Sequence, residues 1–123
     1  MESLHTIVGN VQQGQKRGKR LGFPTMNVSL NQQLPEGIYV SKITIRGNTY
    51  NGLTFIGEAK TFDETRYQAE TYVFNFDQDV YGDSVTVLLL KKIRDNQKFE
   101  SEEKLVAQME IDKKQAMEFF KAY

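Results

Sequence analysis

The sequence predicts a mainly β fold in which six antiparallel strands close into a small barrel and helical structure ends the chain. Three observations carry this expectation. Up to about Ile93 the chain is a series of short runs rich in Val, Ile, Thr and aromatic residues. The polar segments between them have turn length, and no helical pattern intervenes. From Ser101 the apolar residues change from alternation to helical spacing. Six strands without intervening helices leave exposed edges unless the sheet closes, so a barrel is the economical arrangement and a sandwich the alternative.

The six runs are "HTIVGNV", "TMNVSL", "GIYVSKITIRG", "NTYNGLTFIG", "YQAETYVFNF" and "SVTVLLLKKI". "RGN" at Arg46 to Asn48 and "FDQDVYGD" at Phe76 to Asp83 supply turn-favouring residues, and both are expected to join neighbouring strands as hairpins. After Ser101, Leu105, Met109, Ala116 and Phe120 fall near helical spacing. Glu102 and Glu103 stand where a helix N-terminus favours negative charge. Asp112 followed by Gln115 resembles a capping box, which would open a second short helix anchored by Phe119 and Phe120. The alternative is a single helix with Asp112 exposed.

A chain of 123 residues suits one domain, residues 1–123, burying roughly two-thirds of its unfolded surface. Sixteen Lys plus Arg balance sixteen Asp plus Glu, so the long-range positive field of a dedicated nucleic-acid binder is missing. No cysteine is present, which excludes thiolate catalysis, disulfides and zinc-thiolate sites. His5 is the only histidine, so chemistry that needs two imidazoles is excluded by count. Nothing approaches a membrane span or a secretory leader, and a soluble cytoplasmic monomer is expected.

Basic charge and bare backbone concentrate in one place, "GQKRGKRLGFPTMN" from Gly14 to Asn27. Gly14, Gly18 and Gly22 let backbone N–H groups approach an anion, while Lys16, Arg17, Lys19 and Arg20 supply charge that phosphates would neutralise. The spacing is neither a Walker A loop nor a dinucleotide fingerprint. Pro24 biases the chain toward extended structure, so Thr25 and Asn27 present a hydroxyl and an amide on one face, suited to a hard cation and a phosphoryl group. Glu70 is in strand phase with Tyr72, Phe74 and Phe76. If that face is interior, the carboxylate must be hydrogen-bonded or sit at the barrel mouth, where it would serve as a general base. "DQDVYGD" lacks the ligand pattern of a calcium loop and is read as a turn.

In order, "GNVQQGQKRGKRLGFPTMN", "GIYV", "FIGEAKTF", "AETYVFNFDQDVYG" and "KIRDNQKFESEEKLVAQMEID" resemble the ATP-dependent riboflavin kinase (flavokinase) family, found also as the C-terminal module of bacterial FAD synthetases. The most specific element is "LGFPTMN", at Leu21 to Asn27. The resemblance implies a six-stranded Greek-key-like barrel with a C-terminal helix, and transfer of the ATP γ-phosphate to the ribityl 5′-hydroxyl of riboflavin, giving FMN and ADP. It implies that Gly14, Lys16, Gly18 and Lys19 cover the nucleotide and that Tyr81 lines its side. Thr25 and Asn27 would bind the transferred phosphate and Mg2+, with Zn2+ or Mn2+ as alternatives. Glu70 would be the base, and Arg94 and Phe99 in "IRDNQKF" would close on the flavin. With one histidine and nothing ahead of the kinase-like region, FAD synthesis is not expected. Two other readings are a flavin- or nucleotide-binding barrel without turnover and, on the basic cluster alone, a small single-stranded nucleic-acid-binding barrel.

Overall fold

A computed structural model describes residues 3–12, 22, 25–60 and 65–122. Among these residues lie six strands, β1 (His5–Gln12), β2 (Thr25–Ser29), β3 (Gly37–Ile45), β4 (Asn48–Lys60), β5 (Thr65–Val73) and β6 (Ser84–Arg94), followed by a helix, α1 (Glu102–Ala122). Every pairing is antiparallel, and the sheet closes in the order β1-β2-β5-β4-β3-β6. The β2-to-β3 and β5-to-β6 connections each pass over two intervening strands, which gives the Greek-key wiring.

Alternation places Tyr39, Ile43, Ile45, Ile56, Ala69, Val28, Val85, Val87 and Leu89 in the barrel interior, all nearly sealed from water. The interior also holds three polar side chains: Ser41, Thr54 and Thr71 form a buried hydroxyl chain across β3, β4 and β5, with oxygen separations of 2.8 and 2.9 Å. Each hydroxyl can donate as well as accept, so the chain satisfies itself without water. A second cluster lies outside the sheet, where Ile38, Val40, Leu53 and Phe74 meet Ala116 of α1. β3 is therefore buried on both faces, and "GIYV" reads as an uninterrupted apolar stretch.

The β3–β4 hairpin turns at Arg46 and Gly47, both at positive φ (50° and 81°), the backbone that a two-residue turn between twisted strands needs. The "FDQDVYGD" segment is not a hairpin. β5 and β6 are not neighbours, and residues 74–83 instead cross the end of the barrel and hydrogen-bond to β1. The Val11 N–H donates to the Asp83 carbonyl at 2.8 Å, and the Gly82 N–H to the Val11 carbonyl at 2.9 Å. Arg46 secures the crossing, its Nε donating to Asp83 Oδ2 at 2.8 Å. Turn composition says that a chain reverses, not which strand it reaches; residues 74–83 are enough to span two strands.

The second helix is also absent. Nothing between Met109 and Gln115 breaks a helix, so α1 runs through, and the N-terminal cap is Ser101, whose Oγ accepts from the Lys104 N–H at 3.2 Å. Nor is Asp112 exposed: its side chain is only 3% accessible.

Candidate active site

β2 lies against β5 with Thr25 opposite Tyr72 and Asn27 opposite Glu70. These four side chains face outward, because Met26, Val28, Ala69 and Thr71 take the interior positions. The Glu70 face is thus the outer wall of the barrel, and its phase holds through Tyr72 and Phe74 but breaks before Phe76. There Asn75 adopts a positive φ of 57°, so Phe74 stays with Tyr72 in the outer cluster while Phe76 stacks on Tyr50 against the interior cluster.

On that wall the Thr25 hydroxyl donates to Glu70 Oε1 at 3.0 Å. Beside them Asn27 is 7% accessible, and its Oδ1 is buried without a hydrogen-bond partner among the described residues. A carboxamide oxygen left so is costly unless something outside the chain satisfies it. With the Thr25 hydroxyl adjacent it forms a neutral oxygen donor set, which fits a hard divalent cation that keeps water and phosphate oxygens as its other ligands. Among the described residues no group of three or more His, Cys, Asp or Glu side chains could hold a metal, and on this wall the described neutral donors are the Thr25 hydroxyl and the Asn27 amide oxygen.

The strand register extends the site sideways. Asn27 pairs with Glu70, Glu70 with Phe55, Phe55 with Ile38, and Ile38 with Arg94, so one transverse row crosses five strands. Four strand spacings make the row about 19 Å along the barrel wall. Phe55 folds over Gly57, where a side-chain Cβ would come within 2.6 Å of its ring. Asn96 Nδ2 donates to the Ile56 carbonyl at 3.2 Å, tying the segment after β6 down beside Phe55.

At the far end of the row Arg94 grips Asp112 of α1 with two parallel hydrogen bonds, Nε to Oδ1 and Nη2 to Oδ2, both 2.8 Å. Its Nη1 donates to the Asp95 carbonyl, and its Cζ lies 5.9 Å from the centre of the Phe99 ring. Lys92 bonds Asp95 at 2.6 Å; that contact holds the Asp95 carboxyl below its usual pKa and raises the Lys92 ammonium above its own. Lys113, next to Asp112 on the helix, reaches to 5.7 Å from the Tyr72 ring, on the Thr25 side.

The structure therefore brings Thr25, Asn27 and Glu70 together and places Arg94 beside Phe99 at the other end of the same row. Tyr81 is 64% exposed in the crossing segment, its N–H bonded to Asp79 Oδ1 and its neighbour Gly82 bonded to Val11 near the end of β1. It stands at the barrel end where β1 finishes. Gly14, Lys16, Gly18 and Lys19 lie outside the described residues. Sequence reasoning missed Asp112, Asn96 and Phe55. A signal for Asp112 was available: with Leu105, Met109 and Ala116 it completes an i, i+4, i+7, i+11 stripe, and a carboxylate on an apolar stripe calls for a cationic partner.

Fold and site together define a small Greek-key barrel with an acid, a hydroxyl and an orphaned amide oxygen on its outer wall. A family model described as "Flavokinase: Riboflavin kinase" matches residues 1–120, and the chain belongs to that family. It is 40% identical over 120 residues to the bifunctional riboflavin kinase/FMN adenylyltransferase of Bacillus subtilis, an alignment covering 93% of this chain and 38% of the relative. The chain spans between 18% and 39% of the length of the first curated relatives it matches. Among solved structures, riboflavin kinase from Trypanosoma brucei superposes with a TM-score of 0.66 at 22% identity, over 94% of this chain and 79% of that one, a likeness of fold. A Streptococcus pneumoniae structure named as a macrolide-efflux protein gives 0.80 at 36% identity, over 89% of this chain and 37% of that one. Among the described residues no helix is long and apolar enough to cross a membrane.

Proposed function

We propose that residues 1–123 form one riboflavin kinase domain that transfers the γ-phosphate of ATP to the ribityl 5′-hydroxyl of riboflavin, acting as a cytoplasmic monomer. The observation that carries this reading is the Thr25–Glu70 contact beside the unpartnered Asn27 oxygen, a base and a cation-type donor pair on one patch of barrel wall. Thr25 and Asn27 would hold Mg2+, which when bound neutralises phosphate charge. The rest follows from the side chains. The Thr25 hydroxyl engages Oε1 of Glu70 and fixes the carboxylate plane, leaving Oε2 to accept the proton of the ribityl hydroxyl. As that oxygen bonds to the γ-phosphorus, the bond from phosphorus to the β–γ bridging oxygen breaks, and ADP leaves with the electron pair. Glu70 is half-buried, so its proton returns to solvent after transfer. Phe55, half-buried at the centre of the row, suits a flat aromatic substrate, and Arg94 and Phe99 close the far end. Gly14, Lys16, Gly18, Lys19 and Tyr81 take the nucleotide.

The test is to incubate the protein with riboflavin, ATP and magnesium and to separate the flavins by chromatography. FMN with stoichiometric ADP is expected. Quenching of flavin fluorescence without product would reject turnover in favour of a binding barrel.

A further inference from the structure

We propose that Asp112 is a positioning residue for the flavin end of the site, acting through Arg94; this rests on the riboflavin kinase reading above. Arginine at the end of a strand would ordinarily sample many rotamers, and a substrate that needed it would have to order it first. Here the side chain is pre-set. Three of its five N–H groups are committed, two to the Asp112 carboxylate in fork geometry and one to the Asp95 carbonyl, which fixes both the position and the plane of the guanidinium.

Asp112 is itself immobile. It projects from the middle of α1, and Gln108 Nε2 donates to its Oδ1 at 3.0 Å, so that oxygen accepts from two directions. The helix is in turn pinned by Ala116, fully buried against the outer cluster of Ile38, Val40 and Leu53. Ile38 is the register partner of Arg94, so the same packing that seats the helix also sets the height of Asp112 over the row. Arg94 is 17% exposed at its side chain against 3% for Asp112, so the pair turns its buried half toward the helix and its accessible half toward the wall and Phe99. An isoalloxazine offers carbonyl acceptors along one edge and a flat face, and a fixed guanidinium with two N–H groups uncommitted among the described residues meets both. A purely structural ion pair would need neither the register with Glu70 nor the Phe99 ring beside it.

The experiment measures riboflavin and ATP kinetics for wild type, Asp112→Asn, Arg94→Ala and the double variant, together with melting temperatures. Asn keeps the shape of Asp112 but sets an amide donor against a guanidinium donor. Asp112→Asn should raise KM for riboflavin about tenfold or more, while KM for ATP stays within about twofold. Arg94→Ala should do the same, and the double variant should be no worse than Arg94→Ala alone, because both changes remove one arrangement. Unchanged riboflavin KM in Asp112→Asn, equal losses for both substrates, or penalties that multiply in the double variant would overturn the proposal. Should Asp112→Asn not fold, Arg94→Lys keeps the charge and loses the fork. It should show the same one-sided rise in riboflavin KM, and its absence would count against the proposal equally. If the wild-type protein forms no FMN at all, the proposed reaction falls and this inference with it. If wild type turns over and the variants match it, only the role of Asp112 is lost.

Discussion

The Thr25 hydroxyl donates to Glu70 Oε1 across 3.0 Å, one strand to the next, although the two residues are not register partners: Thr25 stands opposite Tyr72, and Glu70 opposite Asn27. The bond is diagonal. It leaves the position directly beside Glu70 to an amide whose oxygen has no partner among the described residues. Carboxylate, hydroxyl and amide are thus interleaved on two strands rather than stacked on one.

Removing a positioned base costs about two to four orders of magnitude in rate. Glu70→Gln keeps the hydrogen bond acceptor for Thr25 but cannot take a proton, so turnover should fall at least about a hundredfold with ATP affinity retained. Stopped assays of FMN formation beside calorimetric ATP titration check it; a rate near wild type rejects the assignment.

Thr25→Ala removes one of the two proposed cation donors and frees Glu70 Oε1. Affinity for ATP measured with magnesium should drop about tenfold or more, whereas affinity measured in the presence of a chelator should be the same for variant and wild type. Titration calorimetry under both conditions reads the difference, and equal Mg·ATP affinity in the two proteins would displace the cation from this residue.

Gly57→Ala places a methyl 2.6 Å from the Phe55 ring and 3.1 Å from Asn96 Nδ2. The ring must swing off the backbone and the Asn96 tether to the Ile56 carbonyl must stretch. Overpacking of this kind costs about 1–3 kcal/mol, and riboflavin KM should rise with the fall in melting temperature. ATP KM is the internal control and should hold.

The Lys92–Asp95 pair gives the segment after β6 a pH dependence. Bonding to Lys92 lowers the Asp95 pKa below 3.8, so its contribution is present above about pH 4 and is lost as pH falls through the lowered value. Bonding to Asp95 raises the Lys92 pKa above 10.5, so that contribution is intact below 10.5 and disappears as pH rises past the raised value. Both side chains are exposed, so the effect is small and salt-sensitive. The melting difference between wild type and Asp95→Asn should be positive at pH 7 in low salt, should shrink as pH falls below 3.8, and should vanish in about 1 M salt. A difference that ignores both pH and salt would mean that the pair does not tether the segment.

All six strands were legible, because alternation and turn residues are local properties. Which strand lies beside which was not. "FDQDVYGD" and "RGN" carry the same turn chemistry, yet one crosses the barrel end and the other makes a hairpin. The difference is decided by where Val11 of β1 can accept from the Gly82 N–H and donate to the Asp83 carbonyl. Thr25, Asn27 and Glu70 could be picked out from their phase and from a family pattern, but their burial could not, since inside and outside exchange on a single-residue slip of register. Asp112 was misread because a capping-box spacing and a buried charged partner look alike until the partner is known. That partner, Arg94, is 18 residues away along the chain.

Because Asn27, Glu70 and Arg94 stand in one row of cross-strand pairs, the sheet itself holds their backbones in line, and separating one from the next means opening the barrel. Heat inactivation should therefore track the collapse of the whole β-framework as one cooperative event, with loss of flavin affinity and loss of β-sheet ellipticity falling on a single curve.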